Sequence, residues 1–218
     1  MNGERDVTSA LDRARQDIVE ASRYVHERGL THGSTGNISV RVDELIVVTP
    51  TGKSLRSLVP QDLAVVDLDG AVRSETKPSK EAVLHAALYR ARTDLQAVIH
   101  THSLYSTAVS CLQELDDEDV LPQMTAYYAM RVGRLPLIPF YPPGDPELAA
   151  HAGRVAKDSH ALLMRNHGPI AGGTTLDHAL DVIEEIEKTA QLYLLLNGRA
   201  ILPVDSDAAK RLYKRAKI

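Results

Sequence analysis

Two imidazoles at positions i and i+2, in His100-Thr101-His102, close the apolar run 95–99 and precede a helix-like stretch. On an extended strand such residues point to the same side, so both rings aim at one place. That place is the C-terminal end of a buried strand, where open α/β sheets put their ligands. Imidazole is the commonest protein ligand for mid-row divalent metals, and a pair needs further ligands from elsewhere in the chain. The candidates are His167, in Arg-Asn-His-Gly-Pro (165–169), and Glu81, in Lys-Pro-Ser-Lys-Glu (77–81). Three imidazoles and one carboxylate suit Zn2+, with Mn2+ and other divalent ions also compatible. A carboxylate able to leave the metal would open a position for substrate and could serve as a general acid or base. Each residue also has a plainer reading. Glu81 is a first-turn carboxylate favoured by the helix dipole, and His167 shapes a turn before Gly168-Pro169. His26, His151, His160 and His178 are read as satisfied surface or core residues.

Three loops of small polar residues accompany these ligands: 33–37, 49–53 and 77–80. Glycine turns, hydroxyls and a helix N-terminus together make an anion pocket of the kind that takes a phosphate. None matches the P-loop or the dinucleotide fingerprint, so nucleotide binding is not indicated.

The elements that must position these groups read as α/β. Apolar periodicity predicts helices over 9–27, 80–92, 103–112, 146–157 and 176–196. Thr174 or Thr175 caps the last of these, and Asn197-Gly198 ends it. Strands are expected over 37–42, 44–49, 62–68, 97–101 and 160–164. The Pro-broken run 135–141 fits an edge or irregular strand, and acidic 114–119 a solvated loop. The arrangement is a central sheet with helices on its faces.

A chain of 218 residues with 44% hydrophobic and 25% charged residues is an ordinary globular composition, long enough for one large core. We expect a single domain over 1–218. A net charge of −4, spread along the chain, argues against nucleic-acid binding through a basic face. The lone cysteine, Cys111, reads as a small buried hydrophobe, and one cysteine fits a reducing cytoplasm. No apolar stretch approaches membrane-spanning length, so the expectation is a cytoplasmic protein with no membrane partner.

The motifs together resemble the class II aldolase/adducin family, typified by fuculose-phosphate aldolase, over nearly the whole chain. The resemblance rests on Gly36-Asn37-Ile38-Ser39, Thr49-Pro50-Thr51-Gly52, Pro78-Ser79-Lys80-Glu81, His100-Thr101-His102 with Thr107-Ala108-Val109-Ser110, and Asn166-His167-Gly168 before the long helix. It implies a three-layer α/β/α sandwich around a largely antiparallel sheet, and a homotetramer with active sites at subunit boundaries. It further implies a zinc site of Glu81, His100, His102 and His167, and a substrate phosphate held by Asn37, Thr51, Gly52 and Ser79.

Within the family, Lys80 replaces the second serine of the usual aldolase motif. The segment 127–136, with Pro142-Pro143-Gly144-Asp145, is similar to the branch of 3-oxo-tetronate 4-phosphate decarboxylases, which form dihydroxyacetone phosphate and CO2. Aldol cleavage and β-keto acid decarboxylation both break a carbon–carbon bond beside a ketone and leave an enediolate, so one metal site can serve either. On this reading Glu81 shuttles the proton and Lys80 joins the phosphate anchors. Lys80, Arg131 and Arg134 are cationic candidates for the leaving carboxylate. Tyr127 or Tyr128, from a neighbouring subunit, is the proton donor. The rival readings are a sugar-phosphate aldolase, a ketose-phosphate dehydratase of the methylthioribulose-phosphate kind, and an adducin-like scaffold without catalysis.

Overall fold

The apolar run before the paired histidines folds as strand β4 (Ala97–His100), buried at every position. Its alternate residues enter different cores: Ala97 and Ile99 join one apolar cluster and Val98 the other. A strand covered on both faces needs apolar residues at both parities, which is why the run is continuous rather than alternating.

The computed structural model describes residues 2–216. In chain order its other strands and α-helices are α1 (Asn2–Glu27), β1 (Asn37–Val42), β2 (Leu45–Val48), β3 (Ala64–Asp67), α2 (Ala82–Ala91), α3 (Leu104–Ser110), α4 (Ala126–Arg131), β5 (Leu137–Ile138), α5 (Pro146–Val155), β6 (Ala161–Met164), β7 (Gly168–Gly173), α6 (Leu176–Leu195) and α7 (Ser206–Ala216), with two short 3-10 turns, Leu55–Ser57 and Pro60–Asp62, before β3. The strands form one seven-stranded sheet in the order β3-β2-β1-β4-β7-β6-β5. Every pairing is antiparallel except β5 with β6. Residues of α2 and α5 pack in the cluster on one face, and residues of α1, α3, α4 and α6 in the cluster on the other. The sandwich and the antiparallel sheet thus agree with the family expectation. The sheet is not the parallel type from which the strand-end rule for ligands comes.

Most predicted elements recur within a few residues, and Thr175, not Thr174, caps α6 by accepting from the His178 N–H. Three elements were not expected. Strand β7, of sequence Gly-Pro-Ile-Ala-Gly-Gly, reads as a turn by composition, yet its glycines permit close packing. A Cβ on Gly173 would meet the backbone of α6, and one on Gly172 the Leu95 side chain. Helix α4 is six residues long, too short for a periodic signal, and is capped by Thr125 accepting from the Tyr128 N–H. Helix α7 packs against α4 through Tyr213, which leaves no room for a side chain at Gly133.

One smaller expectation is corrected. Cys111 is exposed, because it follows the last turn of α3, whose buried stripe is Ser106, Val109 and Ser110. The acidic stretch is a loop exposed at 114 and 116–118, as expected, and half-buried Asp119, accepting from the Leu135 N–H at 3.1 Å, ties it to the segment leading into β5.

Candidate metal centre

Three separate stretches of backbone meet at one end of the central strands. Asn37, first in β1, pairs with His100, last in β4. His100 in turn pairs with Ile170 of β7, and His167 sits in the tight β6–β7 connection. That connection turns through Asn166 at φ 55°, a left-handed conformation that asparagine tolerates. Gly168 then passes directly over the Thr101 carbonyl, where a Cβ would collide with it. Helix α3 holds the other side. Thr107 Oγ1 donates to the His167 carbonyl at 3.2 Å, and the Asn166 N–H donates to the Ser110 carbonyl at 3.2 Å. The buried Glu187 carboxylate of α6 accepts from the N–H groups of Tyr105 and Ser106 at 2.9 and 2.8 Å. It thereby caps α3 and fixes the segment carrying His102.

The result brings together His100, His102 and His167, with ring centroids 4.7 to 4.8 Å apart. One nitrogen from each lies within 4.8 Å of the others. Glu81, immediately before α2, adds its carboxylate: Oε2 lies 3.5 Å from His100 Nε2 and Oε1 lies 3.5 Å from His167 Nε2. His100 Nδ1 faces the Pro169 carbonyl at 2.9 Å, so that nitrogen carries the proton and Nε2 presents a lone pair. Both His100 Nε2 and Glu81 Oε1 are buried without a hydrogen-bond partner. A lone pair and a carboxylate facing each other with no proton between them repel, and burial removes the water that would screen them. A cation between them resolves both defects. The donor set of three imidazoles and one carboxylate fits Zn2+ or a similar divalent ion.

Charge states agree with this geometry. Burial drives the His102 pKa down to about 3, with His100 and His167 adding to the effect. Burial, then His100, takes His167 to about 4. Burial opposes ionisation of Glu81, the neighbouring His100 and His167 favour it whenever either is protonated, and the Asn37 hydrogen bond favours it throughout, so its carboxyl lies below the ordinary range. Neutral imidazoles and an ionised carboxylate are the forms that bind metal.

The other expected residues divide. The loops 49–53 and 77–81 run side by side, joined by a Pro50–Pro78 bridge, Thr51 N–H to the Lys77 carbonyl at 3.3 Å, and Ser79 N–H to the Thr49 carbonyl at 3.0 Å. Thr51, Gly52, Ser79 and Lys80 therefore lie together beside Glu81, whose N–H donates to Ser79 Oγ at 3.3 Å. Gly52 adopts φ 75°, a conformation suited to glycine. The Asn37 side chain, expected at phosphate, instead bridges Glu81 Oε2 and His85. Tyr127, Tyr128, Arg131 and Arg134 are not at this cluster. His160 Nε2, at the far end of β6, bonds the Arg131 carbonyl at 3.0 Å, about 13 Å of strand away from the His167 turn. Tyr128 is 0% exposed in the core, so it cannot reach a neighbouring subunit, whereas Tyr127 is 59% exposed. Arg131 and Arg134 already pair with Asp181 and Glu118.

Two histidines near the centre escaped the sequence reading. His85 lies one helical turn after Glu81, a spacing that marks the same face, and His32 stands 6.4 Å from His102 between ring centroids. Of the histidines read as satisfied, His151, His160 and His178 have ring partners. His26 departs from that reading, with Nδ1 buried and unbonded.

With this geometry in place, comparisons with known proteins become informative. The family model described as Class II Aldolase and Adducin N-terminal domain matches residues 16–194. A 3-oxo-tetronate 4-phosphate decarboxylase of Haemophilus influenzae is 42% identical over 201 residues, covering 92% of this chain and 96% of the relative. The crystal structure of YgbL from Escherichia coli, described as a candidate aldolase/epimerase/decarboxylase, superposes with a TM-score of 0.90 at 38% identity, covering 94% of this chain and 99% of that one. An L-fuculose 1-phosphate aldolase superposes with a TM-score of 0.84 at 29% identity, covering 94% and 97%.

Proposed function

We propose that this chain, which belongs to the class II aldolase and adducin family, is a divalent-metal-dependent carbon–carbon lyase that decarboxylates 3-oxo-tetronate 4-phosphate to dihydroxyacetone phosphate and CO2. The observation that carries the lyase reading is the meeting of His100, His102 and His167, two of them 3.5 Å from the Glu81 carboxylate, with His100 Nε2 and Glu81 Oε1 left without hydrogen-bond partners. It disfavours a non-catalytic, adducin-like scaffold. The substrate comes from the decarboxylase relative, similar over 92% of this chain.

His100, His102, His167 and Glu81 would hold the ion, zinc being our choice and Mn2+ the alternative. A divalent cation held there supplies Lewis-acid neutralisation of the negative charge that bond cleavage leaves on the substrate oxygens. In the reaction the bond between the carboxylate carbon and its neighbour breaks, its electron pair stays on the neighbour, and that carbon takes up one proton. Glu81, with one oxygen that makes no hydrogen bond, is our candidate to move that proton. Thr51, Gly52, Ser79 and Lys80 hold the phosphate, and anchoring this remote group orients the reacting carbons. Asn37 joins them once Glu81 swings away and frees its amide. Lys80, exposed and next to Glu81 in sequence, is our candidate to pair with the carboxylate that leaves.

We further propose a homotetramer, as the family resemblance implies; it would let Tyr127, exposed and remote from this site, serve a neighbouring one. A single domain is supported by one sheet flanked by two apolar clusters. A cytoplasmic, reducing location is supported by the single thiol. No described helix is long and apolar enough to cross a membrane.

The likeness to L-fuculose 1-phosphate aldolase favours one second reading, in which an aldehyde leaves instead of CO2. NMR of metal-loaded protein with 3-oxo-tetronate 4-phosphate and with fuculose 1-phosphate separates the two. Release of CO2 from the first is the expected result; aldehyde from the second alone would make the protein an aldolase.

A further inference from the structure

Helix α2 and strand β1 face each other through two polar rows in step. Glu81, His85 and Tyr89, four residues apart, stand against Asn37 and Ser39, two apart. Four helical residues rise about 6 Å and two strand residues about 6.6 Å, so the rows keep register. Asn37 Nδ2 donates to Glu81 Oε2 at 2.8 Å, and Asn37 Oδ1 faces His85 Nε2 at 2.5 Å. His85 Nδ1 faces Ser39 Oγ at 2.7 Å. The Tyr89 hydroxyl lies 2.9 Å from Ser39 Oγ and donates to the Ser39 carbonyl at 3.0 Å. All five side chains are buried. The carboxylate sets the direction of the chain. Asn37 must turn its NH2 toward Glu81, its carbonyl oxygen then accepts from His85 Nε2–H, and Nδ1 accepts from the Ser39 hydroxyl.

We infer that His85 is a positioning residue for the metal centre: its Nε2–H locks the Asn37 amide, which aims Glu81 so that Oε1 stays free toward His167. Without that lock the amide has a buried oxygen with no partner and is free to swing, and Glu81 loses its guide. The inference rests on the metal-site reading above. Burial pushes the His85 pKa down to about 3, consistent with the neutral, single-proton ring that the chain of bonds requires.

The test is Zn2+ affinity of the full chain, by chelator competition, together with melting temperature. His85→Leu should bind Zn2+ about 10-fold or more weakly. His85→Gln, whose amide nitrogen falls near the Nε2 position, should recover to within about threefold of the unaltered chain. Tyr89→Phe, at the end of the row remote from Glu81, should lower the melting temperature and leave affinity unchanged. Wild-type affinity in His85→Leu would overturn the inference, as would a glutamine variant no better than leucine. Should the leucine variant fail to fold, 15N NMR of the unaltered, metal-free chain decides. An Nε2–H tautomer at His85 is expected, and an Nδ1–H tautomer overturns the role. Metal binding alongside Nδ1–H would sink the positioning role alone. An unaltered chain that bound no metal would sink the metal-site reading and this role with it.

Discussion

The same sheet carries a histidine cluster at each end, and the two differ in what their nitrogens meet. At one end His100, His102 and His167 crowd together, two of them 3.5 Å from the Glu81 carboxylate, with His100 Nε2 and Glu81 Oε1 buried and without hydrogen-bond partners. At the other, His160 and His178 lie 5.9 Å apart beside Tyr213. There His160 bonds the Arg131 carbonyl through Nε2 and the Tyr213 hydroxyl through Nδ1, and His178 Nδ1 faces Thr174. Imidazoles close in space are therefore not in themselves a metal site. What distinguishes the first cluster is that unsatisfied groups on two adjoining residues, His100 and Glu81, meet further imidazoles there; a single one, such as His26 Nδ1, is not enough.

The strongest way to break this contrast is to remove a ligand. His102→Ala should weaken metal binding by more than about 100-fold and abolish turnover; stoichiometric metal with full turnover in that variant would show that the pair is not the site. Next in size, Glu81→Gln should keep some metal while turnover falls about 100- to 10,000-fold, the usual range for a lost general acid or base. Unchanged kinetics would take Glu81 out of the mechanism.

A pH titration sharpens the comparison without any substrate. His85 and His102 have folded pKa values near 3 and His167 near 4, against an ordinary 6.5. At pH 5 they are neutral in the fold but protonated in the unfolded chain, so unfolding takes up as many as three protons, one for each. The metal-free protein should thus be stable and pH-insensitive above 6.5, and lose stability steadily as pH falls toward 4. Urea midpoints that stay level between pH 7 and 5 would contradict this. A smaller effect is expected at Gly168→Ala, where the added methyl meets the Thr101 carbonyl. Overpacking there should destabilise by about 1–3 kcal/mol in a urea melt. Smallest of all, His178→Ala at the far cluster should leave metal affinity and turnover within about twofold, as a change remote from the site should; a large loss of metal would erase the distinction between the two ends.

Much of the site was legible because its signals are local. The i, i+2 spacing of His100 and His102 states that both leave the strand on one side whatever the strand's neighbours are. The long periodic runs mark α1, α2, α5 and α6 for the same reason. Strand β7 was illegible because its glycines answer to the backbone of α6 and the side chain of Leu95, which no local pattern reveals. Tyr127 and Tyr128 were indistinguishable for a related reason. Adjacent helical residues point about 100° apart, and only the packing of α4 decides which of the two faces the core.

The chain's own order of residues determined the chemistry available: three imidazoles, a carboxylate at a helix start, and small-residue loops suited to a phosphate. Local periodicity encodes which way a side chain points. It does not encode which segment lies opposite, since that depends on strand order and register between residues far apart in sequence. Tertiary structure alone therefore set Asn37 beside His100, folded Gly168 back over Thr101, tied Asn37 to both Glu81 and His85, and carried Tyr127 to the opposite end of the sheet.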